Sequence, residues 1–259
     1  MLKKVLFAVD FSPFTEKMLE CAGELVGVGM NHMVLLHVID AKMHAEYGEH
    51  LSPTYTSMEE EARRQLDLLA DKIKGDGYKV ETLIKAGSPV LTIVETAREE
   101  DVDFIYMGAY GKGFFNRLLL GSVSEKVLTL SDRPVMIQQC RVNEGEEGGF
   151  SCQNVCGLLL ENILVANDFS EYADKVRPVL RNFVESFRAP VTLLHVQEGK
   201  STFGWDTAFK AKKRKAKAEM QALQEMADSL APSCKSVDVK LVEGNPAQWI
   251  LQVAEDLDA

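Results

Sequence analysis

Phe104-Ile-Tyr-Met-Gly108-Ala-Tyr-Gly111-Lys-Gly113-Phe-Phe-Asn-Arg117-Leu-Leu-Leu-Gly121-Ser122-Val-Ser124 is the stretch on which the reading of this chain turns. Its opening run, Phe104 to Met107, is apolar throughout and reads as a strand buried on both faces. Glycines punctuate the segment from Gly108 to Gly121. A helical pattern of Val123, Val127, Leu128 and Leu130 comes next and stops before Pro134. Strand, glycines and helix start, in that order, suggest an anion cradle. Glycine lets backbone approach a ligand closely, and unpaired N–H groups at a helix start attract phosphate. Ser122 offers a hydroxyl at the cap position. No Gly-Lys-Ser/Thr closes the stretch, so it is not a Walker loop, and the dinucleotide Gly-x-Gly-x-x-Gly spacing is also missing.

Upstream, Val5-Leu-Phe-Ala-Val9 reads as a buried strand, broken by Asp10-Phe-Ser-Pro13. Ser12 can cap a helix there, with Pro13 in its first position. Met18, Leu19, Ala22, Leu25 and Val26 then recur at helical spacing, and Met33 to Val38 forms a second strand. Residues 40–56 are polar and include Pro53, which predicts a long loop or lid. Ser57-Met-Glu-Glu60 has the form of a capping box. It opens a helix whose inward face is Ala62, Leu66, Leu69, Ala70 and Ile73. Val80 to Ala86 is a third strand. Gly87-Ser-Pro89 starts a helix burying Ile93, Val94 and Ala97, and Val135-Met-Ile137 is a fifth strand. Strands alternating with helices predict an α/β fold with a parallel sheet and right-handed crossovers.

Downstream the pattern restarts. Ile163-Leu-Val-Ala-Asn-Asp168-Phe-Ser170 repeats Val5-Leu-Phe-Ala-Val-Asp10-Phe-Ser12, and Thr192-Leu-Leu-His-Val196 repeats Val34-Leu-Leu-His-Val38, both at an offset of 158 residues. Gly244-Asn-Pro246 repeats Gly87-Ser-Pro89 at an offset of 157. The chain is an internal duplication. It reads as a first domain over 1–140, a glycine-containing acidic linker over 141–159, and a second domain over 160–259. The second copy reaches Ala259 where its fourth strand is due, so it is expected to be degenerate or truncated.

Composition narrows the function classes. Of 259 residues, 46% are hydrophobic and 26% charged, which predicts a folded, soluble chain. A net charge of −10 disfavours nucleic acid or anionic membrane as the main partner. No apolar run approaches the roughly 20 residues of a membrane span. The start, Met1 to Val9, meets Asp10 too early for a signal peptide. Five scattered cysteines suit the reducing cytoplasm better than a disulfide scaffold.

The spacing Gly-x2-Gly-x9-Gly-Ser, at Gly108, Gly111, Gly121 and Ser122, together with a first strand ending in Val-Asp-x-Ser, resembles the universal stress protein family. The resemblance runs over nearly the whole chain as a tandem pair, complete in the first copy. It implies two tandem Rossmann-like domains of the adenine nucleotide alpha hydrolase-like type, with strand order 3-2-1-4-5. Strands 1 and 4 are then neighbours whose connections depart in opposite directions, and ligands bind at such a switch point. The implied ligand is an adenine nucleotide, ATP or AMP, with or without Mg²⁺. Gly108, Gly111, Gly121 and Ser122 would line its phosphates and ribose. Val123 and Ser124 would add helix-start contacts, Asp10 and Val38 would border the adenine end, and Met107 would pack against the nucleoside. Family members are expected to pair through fifth strands, so a homodimer through Val135–Ile137 is the implied assembly.

Each feature also has a plainer reading. The glycines suit a tight turn, and Asp10 suits a helix entry, the reading favoured for its counterpart Asp168. His37 and His195 read as packed, hydrogen-bonded strand-end residues, not bases. Lys112 and Arg117 could meet a phosphate or solvent alike. The basic run Lys210-Ala-Lys-Lys-Arg-Lys-Ala-Lys217 could dock an acidic protein surface or nucleic acid, and reads first as a solvated face. Cys152-x3-Cys156 lacks zinc spacing. No triad, paired catalytic carboxylates or metal cluster stands out, so no catalytic residue is assigned. The expected function is a nucleotide-gated regulator or adaptor. A non-binding dimerisation scaffold and a slow ATPase are the alternatives.

Overall fold

In a computed structural model of the chain, the described residues are 2–40, 52–75, 77–109, 120–139, 141–144, 150–153, 161–198 and 207–257. They form two compact units, Met1–Gly157 and Leu158–Ala259. In the first unit β1 (Lys4–Val9) leads into α1 (Pro13–Glu20), and the Ser12 side chain accepts from the Thr15 N–H at 3.3 Å to cap that helix. The helical pattern expected to continue through Val26 instead tightens into a 3-10 helix, Ala22–Val28. Its buried residues Ala22, Leu25 and Val28 lie three apart, which matches three residues per turn. Gly29, at φ 98°, closes it in a left-handed conformation.

β2 (His32–Asp40) comes next, then α2 (Ser52–Ile73). The helix therefore begins at Ser52, and the capping signature at Ser57 lies inside it, because Pro53 fits a first turn where its missing N–H is harmless. Residues 41–51 of the expected loop lie outside the described residues. α2 does bury Ala62, Leu66, Leu69 and Ala70 as the spacing predicts. β3 (Lys79–Gly87), α3 (Pro89–Glu99), β4 (Phe104–Gly108), α4 (Ser122–Leu130) and β5 (Val135–Gln138) complete the unit. The sheet is parallel, in the order β3-β2-β1-β4-β5.

One face of that sheet packs Leu6, Val34, Leu36, Ile105 and Met107 against Ile93, Val94 and Ala97 of α3 and Val127 of α4. Residues on the alternate face include Phe7 and Tyr106, whose rings meet edge to face at 4.7 Å. Leu128 and Leu130 of α4, expected on its inward stripe, are 46% and 50% exposed. The helix is only nine residues long and presents Val127 alone, with Ser124, as a buried contact.

The stretch expected as a linker contains a hairpin, β6 (Arg141–Glu144) against β7 (Phe150–Gln153), antiparallel with Val142 opposite Cys152. Cys21, buried at the end of α1, is disulfide-bonded, a bond that reading the scattered cysteines as suited to a reducing compartment does not anticipate.

The second unit repeats the first half of this plan. β8 (Ile163–Ala166), α5 (Glu171–Phe187), β9 (Val191–Gln197), α6 (Thr207–Leu230), β10 (Val237–Glu243) and α7 (Pro246–Leu257) build a parallel sheet in the order β10-β9-β8. Val191 and Leu193 pack there on Val184, Leu223, Ala227 and Leu230. The duplication extends to backbone detail. Phe11 and Phe169 sit at φ 56° and 58°, and Gly87 and Gly244 at φ 156° and 148°.

Candidate functional site

β1 and β4 are neighbours only part of the way. Their pairing runs Val5↔Phe104, Leu6↔Ile105 and Phe7↔Tyr106, and then stops. Beyond it β1 continues against β2 to Val9↔His37, and β4 continues against β5 to Gly108↔Gln138. The two carboxyl ends part there, where strand order reverses, the place at which a ligand crevice is expected. Asp10 stands at one side of it and Gly108 at the other.

The β1 side is a tightly bonded turn. Asp10 Oδ1 accepts from the Ser12 N–H at 3.0 Å and from the Thr15 hydroxyl at 2.6 Å. Phe11 adopts a left-handed backbone, unusual for a residue with a side chain, and lays its ring over His37 with centroids 4.2 Å apart. His37 Nδ1 in turn bonds the Val9 carbonyl at 2.8 Å. The strand end, the turn and the carboxylate are thereby held as one piece. His37 is a packed, bonded residue here, and so is its counterpart His195, whose Nδ1 bonds the Asn167 carbonyl at 2.6 Å.

The β4 side is a neck. The chain leaves at Ala109, whose N–H donates to the Gln138 carbonyl at 2.9 Å, and returns at Gly121, whose N–H donates to the Ala109 carbonyl at 2.8 Å. Ser124 closes a second tie, its buried hydroxyl donating to the Gly108 carbonyl at 2.9 Å. Below the neck the Tyr106 hydroxyl bonds the Gln138 side chain, and burial pushes that phenol well above its ordinary pKa.

The cap of α4 is Gly121, not Ser122, and it makes no side-chain capping bond. Ser122 is the first helical residue and is exposed. Glu125 N–H to Gly121 C=O, at 2.9 Å, is the first bond of the helix. The N–H groups of Ser122, Val123 and Ser124 precede it and have no carbonyl of their own helix to reach. They carry the positive end of the helix dipole. One side of the crevice thus offers a carboxylate and the other offers N–H donors.

Asp10, Gly108, Gly121, Ser122, Val123 and Ser124 all come to this carboxyl end of the sheet. Met107, 4% exposed, belongs to the core, and Val38 is half-buried against the same core. Gly111, Lys112 and Arg117 lie outside the described residues. Two contributors escaped the sequence reading: Thr15, which fixes Asp10, and Phe11, which fixes the turn. The duplication carried a signal for the first, since the position matching Thr15 is Ala173, which has no hydroxyl. In that second turn Asp168 Oδ1 accepts from the Ser170 N–H at 2.9 Å, and the Ser170 hydroxyl and N–H hold the carboxyl below its usual pKa.

Among the described residues no helix is long and apolar enough to cross a membrane. The model of the universal stress protein family matches residues 1–138 and again residues 160–259. A universal stress protein of Methanocaldococcus jannaschii is 31% identical over 153 residues, which cover 53% of this chain and 94% of that protein. The universal stress protein YxiE of Bacillus subtilis is 29% identical over 146 residues, covering 53% and 99%. Among solved structures, a universal stress protein from Archaeoglobus fulgidus superposes with a TM-score of 0.73 at 28% identity. It covers 100% of this chain, which in turn covers 85% of it.

Proposed function

This chain belongs to the universal stress protein family, and on that premise we propose that its first unit binds an adenine nucleotide, ATP or AMP, and acts as a nucleotide-gated adaptor in the stress response. The observation that carries this reading is the polarity of the crevice between β1 and β4. A phosphate tail is anionic and suits the N–H groups at the start of α4. The ribose and adenine carry neutral donors and suit the Asp10 carboxylate, which is held still by Ser12 and Thr15. A bound nucleotide would span both sides and make occupancy depend on the ties at Gly108, Ala109 and Gly121. Any Mg²⁺ would enter with the triphosphate. The proposed compartment is the cytoplasm.

The second unit turns the same way at Asp168, and the proposed site is that of the first unit, where the described neck lies. Calorimetric titration with ATP and AMP, beside mass spectrometry of whatever co-purifies, tests this. Gly121→Val, which places a branched side chain at the neck, should weaken binding at least tenfold with little change in the folded signal. Unchanged titration in that variant, or no binding in the parent, would falsify the assignment.

A further inference from the structure

The basic run singled out in the sequence falls on α6 of the second unit, where the nucleotide reading gives it no task. Lys213, Arg214 and Lys217 are exposed and make no ion pair among the described residues, whereas Lys215 reaches Glu219 at 3.5 Å. Lys213, Arg214 and Lys217 match the i, i+1, i+4 spacing of one helix face. The stripe lies opposite the face that buries Leu223, Ala227 and Leu230. It is about 6 Å long at 1.5 Å per residue. Met220, 40% exposed, continues it, and the uncharged Gln221 and Gln224 lie beyond.

The matching positions of α2 at an offset of 157, Thr56, Ser57 and Glu60, carry no cation. The stripe is therefore an addition to the second unit and not part of the repeated fold.

We propose that this stripe is a docking surface for an acidic protein segment bearing an apolar residue that rests on Met220. Charge complementarity favours a short acidic segment over nucleic acid. A polyanion longer than the stripe must run over a chain whose net charge is −10. A compact segment feels mainly the cations within the Debye length of about 8 Å. The stripe also offers a thioether, a soft apolar contact, where base recognition would call for aromatic stacking.

The test uses fluorescence anisotropy with the full chain and two labelled probes of equal charge: a Glu-rich peptide containing one Leu, and a single-stranded oligonucleotide. The peptide should bind more tightly, and its affinity should fall as salt rises. The triple variant Lys213→Glu/Arg214→Glu/Lys217→Glu should lose about tenfold or more, as three exposed ion pairs of ordinary strength allow. Its thermal midpoint should hold, because the three side chains are exposed and make no ion pair among the described residues, and its adenine-nucleotide titration should match the parent. Equal peptide binding by parent and variant overturns the proposal, as does a tighter grip on the oligonucleotide. Because the nucleotide titration is read separately, failure here leaves the first-unit reading untouched, and the converse also holds.

Discussion

Phe11 is a bulky residue in a conformation that disfavours side chains. Its left-handed backbone costs roughly 1–2 kcal/mol relative to the ordinary helical region. The ring contact with His37 offsets that cost and keeps the turn that aims Asp10. The usual ranking of substitutions should therefore invert at this position. Phe11→Ala removes the ring and keeps the strain, and should destabilise the first unit by roughly 1–3 kcal/mol. Phe11→Gly removes both, and should prove no worse than the alanine variant in urea denaturation. An alanine variant clearly more stable than the glycine one would show that the left-handed backbone holds no strain for glycine to relieve. Both variants should also weaken nucleotide binding, because Asp10 is the adjacent residue.

Among elements, the junction of β3 with α3 shows how a sequence repeat becomes a shared geometry. A Cβ on Gly87 would lie 2.6 Å from Thr92 Oγ1, and one on Gly244 would lie 2.7 Å from Trp249 Nε1. Gly87, at φ 156°, also disfavours a side chain by its backbone, so Gly87→Ala should cost about 1–3 kcal/mol from strain and crowding together. Repeating it in a Thr92→Ala background should recover the crowding share of that loss, a coupling that a double-mutant cycle of denaturation midpoints would reveal. Additive costs would place the strain in the backbone instead. The strands were legible because Val5–Val9, Met33–Leu36 and Phe104–Met107 are apolar on both faces, a pattern with one structural meaning in an alternating chain. Helix boundaries were less so. Ser57 carries a cap's chemistry, but Pro53 shows where the first turn lies, and local pattern cannot rank the two. Leu128 looks inward by spacing, yet nothing in a linear string reveals how short a contact α4 makes. Of the site, Asp10 and the glycines were readable as a motif. The partners of Ser124 and Asp10 depend on where the chain comes back, and so Gly108 O and Thr15 could not be read from the motif.

At the scale of the molecule, β5 is the edge of its sheet. The carbonyls of Pro134 and Gln138 accept from Ile105 and Ala109, so even-numbered positions of this strand face β4. The N–H of Ile137 then points away from the sheet, available to another strand. A homodimer through this edge is the proposed assembly. Sedimentation equilibrium should find a dimer in the parent chain and a monomer in Ile137→Pro, whose lost N–H faces outward. A parent that stays monomeric at all concentrations would remove the idea. The paired ties at Ala109 and Ser124 have a separate implication. They clamp the end of β4 to the start of α4 through Gly108, Ala109, Gly121 and Ser124. Whatever displaces the first turn of α4 must drag the last residues of β4 with it, so strand end and helix start behave as a single bracket.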